Sequence, residues 1–212
     1  MRIVTRCLRV GIICHRSATE AEQEINAGRQ IAQSIGSEGT NLVALAYAWL
    51  ARAQINQNNL SQASSTISKA KLIENCEAMT RSRIYLAAGD IAHQEQNDLE
   101  AIQLYKESAR LTHQYLDKRH AMELNYRLGF AYLGAGSLAR AEESFSSLSE
   151  WEQTTEGFQA KFGLAQIAQV KGQTDKARQL AQEVFDDLSH LVPTHRLVKE
   201  VTDFLHSLDE NS

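Results

Sequence analysis

The sequence predicts an all-α chain, an α-solenoid of stacked antiparallel helical hairpins. Three observations carry that expectation. Alanine, the strongest helix former, supplies 27 of 212 residues, and a chain so rich in it favours helix wherever packing does not object. Only one proline, Pro193, stands in the whole chain, which argues against Pro-rich linkers and disorder. The third is an internal repeat, the feature that must be sought before any single element is assigned.

A small residue is followed twelve positions later by alanine four times over: Ala51 and Ala63, Gly89 and Ala101, Gly129 and Ala141, Ala165 and Ala177. Successive anchors stand 38, 40 and 36 residues apart. Each unit has Leu50, Ala88, Leu128 or Leu164 just before the small residue. Each has a polar or glycine break in its middle: Asn58-Asn59, Gln96-Asn97, Gly136-Ser137 and Gly172-Gln173. Ile67, Tyr105 and Phe145 follow the second anchor by four residues, where the last unit has Ala181. Small side chains at both anchors let two helices lie close together. The break supplies the turn, with Asn59, Asp98, Ser137 and Thr174 as candidate N-caps. One hairpin cannot bury its own apolar face, so neighbours must stack.

Taken in order, residues 1–39 read as a degenerate first hairpin or cap, with Ala21 as return-helix anchor and Ile25 and Ile31 at helical spacing. Residues 40–192 read as four repeats, about 40–76, 77–117, 118–153 and 154–192. Loops are expected near 36–40, 75–78, 116–119 and 149–157. Residues 193–212 read as a capping helix and tail: Pro193 suits its first turn, and Leu197, Val201, Phe204 and Leu208 form one apolar face.

The net charge of −4 is too mild and too acidic for a general nucleic-acid binder. It is unevenly spread. Arg2, Arg6, Arg9 and Arg16 put +4 into the first 19 residues, which hold no acid, so the remainder sums to −8. On a helix these arginines share a face: a solvated cap, or a basic surface for an acidic partner or the acidic body of the chain. An Arg-rich, acid-free start also has the marks of a mitochondrial presequence. No apolar run approaches the ~20 residues of a membrane span, so no membrane partner is expected and the cytoplasm is the expected location.

No catalytic signature stands out. Cys7, Cys14 and Cys76 form no C-x-x-C, the seven histidines fit no ligand pattern, and G-x-S-x-G, P-loop and dinucleotide motifs are absent. The Gly-rich stretch 134–137 lies on an inter-helix turn and lacks the phosphate-binding lysine. No metal, no cofactor and no enzymatic activity are expected. Trp49, in a strongly apolar helix, reads as core; Trp151, between Glu150 and Glu152, reads as exposed.

The four units resemble tetratricopeptide (TPR) repeats: Leu-Gly or Leu-Ala, a polar turn, then Ala and an aromatic. The resemblance covers about residues 40–190. It departs from the family in its spacing, 36–40 against the usual 34, and in lacking the proline that often closes each unit. The longer units resemble arrays attached to bacterial signalling ATPases and transcription activators. What the resemblance implies is a right-handed superhelix whose concave groove, lined by the first helix of each hairpin, binds a protein or peptide. Carried onto this chain, the groove set is Arg52 with Leu45, Ala48 and Ile55; Arg83, Asp90 and His93 with Leu86; Glu123, Tyr126 and Phe130 with Leu133; and Phe162, Gln166 and Gln169 with Gln159. Its aromatics read either as groove surface or as packing between helices. The Lys/Asn set that clamps a chaperone's C-terminal carboxylate is missing, so a co-chaperone role is not implied. The expected function is a non-enzymatic interaction scaffold, as a monomer or weak homodimer. The alternative is a sensory or regulatory domain that responds to a small ligand or peptide and controls an effector.

Overall fold

The computed structural model describes residues 18–113, 118–151, 153–191 and 196–210. The expected basic face (Arg2, Arg6, Arg9 and Arg16), Cys7, Cys14 and Pro193 lie outside the described residues. Every regular element among the described residues is helical. In order they are α1 (Ala18–Ile35), α2 (Ser37–Asn56), α3 (Leu60–Lys71), α4 (Ala78–Gln94), α5 (Asp98–Thr112), α6 (Lys118–Gly134), α7 (Leu138–Ser146), a 3₁₀ turn (Ser149–Trp151), α8 (Thr155–Val170), α9 (Thr174–Leu191) and α10 (Arg196–Glu210). The chain divides into two compact units, residues 1–117 and 118–212.

In the first unit α1 packs on the hairpin α2–α3, and α2 in turn packs on α4 of the hairpin α4–α5. Ala21 and Ile25 of α1, Tyr47 and Leu50 of α2, Ile67 of α3 and Ile84 of α4 join in one core. In the second unit α8 packs against both helices of the hairpin α6–α7, α9 pairs with α8, and α10 lies on α9. Phe158, Phe162, Ala181, Val184, Leu197 and Val201 form one cluster of its core. All four return-helix anchors, Ala63, Ala101, Ala141 and Ala177, are fully buried. Where the fourth unit has Ala181 in place of a large residue, Phe158 and Phe162 of α8 share its cluster.

One turn geometry recurs in all four hairpins. Asn58, Gln96, Gly136 and Gly172 each adopt a left-handed backbone, with φ of 61°, 62°, 72° and 73°. The amide of the next residue bonds back five positions: Asn59 to Gln54, Asn97 to Ala92 and Ser137 to Tyr132, each at 2.8 Å, and Gln173 to Ala168 at 2.9 Å. This is the Schellman termination, which satisfies carbonyls that a helix end would otherwise leave unpaired.

The same geometry corrects the expected N-caps. Asn59 and Ser137 stand at N-cap positions, but neither side chain caps its helix. Asn97, not Asp98, precedes α5, and Thr174 is already inside α9. The residue after a left-handed turn is held near φ −95°, ψ 61°, outside the extended region that a capping side chain needs. Thr154, at φ −105°, ψ 160°, is extended and does accept from the Gly157 amide. The loop expected over 36–40 shrinks to Gly36 alone, because φ +81° there reverses the chain in one residue. Gly39 completes that turn: a Cβ on it would meet the Ala32 backbone at 2.7 Å.

Candidate functional site

Five of the expected groove positions of the first unit come together where α2 meets α4. Ala48, Trp49 and Arg52 of α2 and Arg83, Leu86 and Asp90 of α4 line one small cleft of about 30 Å³. The helical period explains it: 48 and 52, and 83, 86 and 90, each recur on one face of their helix. Two arginines and one aspartate therefore line the same cleft at the junction of two hairpins. Tyr105 reaches across from α5 and donates its hydroxyl to Asp90 Oδ1 at 2.8 Å, orienting the acid from behind. His93, one turn further along α4, pairs through Nδ1 with Asp98 Oδ1 at 2.5 Å. It belongs to the hairpin turn as much as to the α4 face.

Trp49 is half-buried on the rim of this cleft rather than in the core. Helix α2 is apolar around most of its circumference, so periodicity alone does not separate its faces. Trp151 is likewise half-buried, on the 3₁₀ turn, and not the exposed loop residue expected between two glutamates.

In the second unit the expected groove residues scatter. Glu123 is buried, 7 % exposed, with Arg127 Nη1 3.4 Å from its Oε1 and His120 Nδ1 3.9 Å from its Oε2. Phe162 is also interior, 4 % exposed, its ring edge-on to Phe204 of α10 with centroids 5.3 Å apart. Neither side chain lies open to a partner. The capping helix covers Phe162, and the charge of Glu123 is answered on its own helix. Phe130 is half-buried and meets Phe145 edge-on at 5.0 Å. Tyr126 is half-buried, with the Arg127 guanidinium 4.7 Å from its ring centroid. Gln166 and Gln169 are half-buried on α8.

Sequence reasoning missed two features. Gly163, two residues before the recognised anchor Ala165, takes the Phe145 ring against its backbone. A larger cavity of about 530 Å³ opens between α1, the start of α2 and the segment after α3, lined among others by Arg29, Thr40, Val43, Ile73 and Glu74. These residues come from three elements and share no motif. Among the described residues no group of three His, Cys, Asp or Glu side chains is placed to hold a metal, and no helix is long and apolar enough to cross a membrane. Cys76 is buried, and desolvation raises its thiol pKa, the wrong direction for a nucleophile.

No family model matches the chain. It is 25 % identical over 197 residues to the transcription activator GutR of Bacillus subtilis (strain 168), a match that covers 90 % of this chain. The chain spans about a quarter of that relative, 23 % of its length. Among solved structures, BtubC (BKLC) from P. vanneervenii superposes with a TM-score of 0.68 at 12 % identity, covering 93 % of this chain and 83 % of that one. A putative kinesin light chain of Podosopora anserina, built of nearly identical TPR-like repeats, gives 0.63 at 14 % identity, covering 92 % of this chain and all of that one. At these identities the likeness is one of fold, and the fold is TPR-like: an all-α chain of stacked helical hairpins.

Proposed function

We propose that the chain is a non-enzymatic interaction module that holds a protein or peptide against the first helices of its hairpins. One observation carries this reading. Arg52, Arg83 and Asp90, expected in the groove from the resemblance to TPR repeats, line a single cleft between two successive hairpins, and Tyr105 hydrogen-bonds the acid. Charged groups from adjacent repeats, presented beside a half-buried tryptophan, suit recognition of a polar or extended segment by charge-assisted hydrogen bonds. Within the second unit, Phe130, Tyr126, Gln166 and Gln169 are the proposed contact residues. A partner captured from the native host should lose affinity when Arg52 and Arg83 are both changed to alanine, with helical circular dichroism retained. Unchanged affinity in that double variant refutes the cleft.

A second reading, a regulatory domain controlling an effector, draws on the match to part of a transcription activator. In that case the physiological partner is an effector domain, supplied within a longer polypeptide or in trans. The captured partner distinguishes the two: an effector domain whose activity changes on binding supports regulation, and a passive cargo supports a scaffold.

A further inference from the structure

We propose that the cavity between α1, the start of α2 and the segment after α3 binds a free apolar α-amino acid or a closely related zwitterion. The cavity is a half-open cleft of about 530 Å³, within the usual range of small-molecule sites, and lies toward the N-terminal end of α2, within the first unit. Its lining holds one cation and one anion, Arg29 from α1 and Glu74 from the segment after α3, with apolar Ala32, Val43 and Ile73 also in the wall. A ligand that answers every part of this wall carries a carboxylate for Arg29, an ammonium for Glu74 and an aliphatic body for the rest. A simple carboxylate pairs with Arg29 alone and a simple amine with Glu74 alone; both side chains are exposed, so the advantage of the zwitterion is that it makes two solvent-screened pairings in place of one.

Two further observations fit a built cavity. Arg29 makes a long contact to the Tyr47 hydroxyl, 3.5 Å from Nη1, which draws the guanidinium toward α2. Thr40 donates its hydroxyl to the Gly36 carbonyl at 2.7 Å, so its oxygen keeps lone pairs for an ammonium. This inference does not rest on the α2–α4 cleft.

Isothermal titration of the full chain with leucine, leucinamide and 4-methylpentanoate tests it, since the three ligands share an aliphatic body and differ only in charge. Leucine should bind about two- to fivefold more tightly than either analogue, the expected loss of one solvent-screened pairing. Arg29→Gln should bring leucine down to the level of leucinamide, and Glu74→Gln down to that of 4-methylpentanoate. The wild-type comparison stands even if a variant folds poorly. No leucine binding at millimolar concentration, equal binding of all three compounds, or leucine affinity unchanged in both variants overturns the proposal.

Discussion

The ring of Phe145, on α7, rests directly on the backbone of Gly163 in α8: a Cβ built on Gly163 would lie 2.3 Å from the ring Cζ. Gly129 meets the same ring from α6, where an added Cβ would lie 2.4 Å from Cε1. One aromatic side chain, 1 % exposed, thus sets the approach of three helices, and two glycines make room for it.

Gly163→Ala should therefore destabilise the protein although alanine is the better helix former. The propensity gain is about 1 kcal/mol, whereas overpacking a ring that is confined on both sides costs about 1–3 kcal/mol, so the net loss is up to about 2 kcal/mol. Urea unfolding monitored by circular dichroism measures the loss. In a Phe145→Leu background most of the Gly163→Ala penalty should vanish, a coupling that a double-mutant cycle reads directly.

The recurring left-handed turn residue invites the opposite kind of substitution. Gln96 occupies a conformation (φ 62°) that costs a side-chain-bearing residue about 1 kcal/mol and glycine almost nothing. Gln96→Gly should raise stability by about 0.5–1 kcal/mol, while Gly136→Ala, at the same register one unit on, should lower it by a similar amount. A Gln96→Gly variant no more stable than the parent would contradict the turn assignment.

Gln54 is 5 % exposed and its Oε1 finds no hydrogen-bond donor. Replacing a buried unsatisfied amide by an apolar side chain of like shape is neutral to stabilising. Gln54→Met should hold or raise the thermal midpoint, equivalent to about 0–2 kcal/mol; a marked fall would mean that the amide is satisfied in solution.

Tyr105→Phe removes the hydroxyl that bonds Asp90 and leaves the buried ring. The stability cost should be about 1 kcal/mol. If the α2–α4 cleft holds a partner, the loss of affinity in this variant should exceed that of the exposed control Lys106→Ala, because Asp90 is no longer held in place.

Two inter-helix ion pairs set a modest acid dependence. Glu142 is held below the ordinary carboxylate value of 4.5 first by its hydrogen bond from Lys171, and Glu183 first by that from Lys161, then by Gln179. A depressed folded-state value contributes stability that is complete above the unfolded value and lost as pH falls through the folded one. Both glutamates are two-fifths exposed, so each contributes less than about 1 kcal/mol. Stability from these pairs should be flat from pH 8 to about 5 and decline below about 4.5. The decline should be shallower at high salt and in Glu142→Gln with Glu183→Gln.

Hairpins, anchors and turns were legible from order along the chain because each depends on residues close in sequence. Ala51 with Ala63, Gly89 with Ala101 and the breaks at 58–59, 96–97, 136–137 and 172–173 report local spacing, and local spacing decides where a helix starts, stops and presents a small side chain. That Arg52, Arg83 and Asp90 belong to one face was implied by the resemblance to TPR repeats, with the anchors supplying the count. Side-chain capping did not follow, because the left-handed residue in front rotates the cap residue away from the geometry its side chain would need.

Burial of the remaining candidates was decided by contacts between helices distant in sequence. Glu123 and Phe162 occupy the same register as Arg83 and neighbours of the cleft, yet one is answered by Arg127 on its own helix and the other is covered by Phe204 of α10. The pairing of Gly163 with Phe145 and the cavity holding Arg29 and Glu74 arise in the same way, from elements that meet only on folding. Amino-acid order determines which face a residue occupies on its helix; only packing determines whether that face meets solvent, a neighbouring helix or an empty space large enough for a ligand.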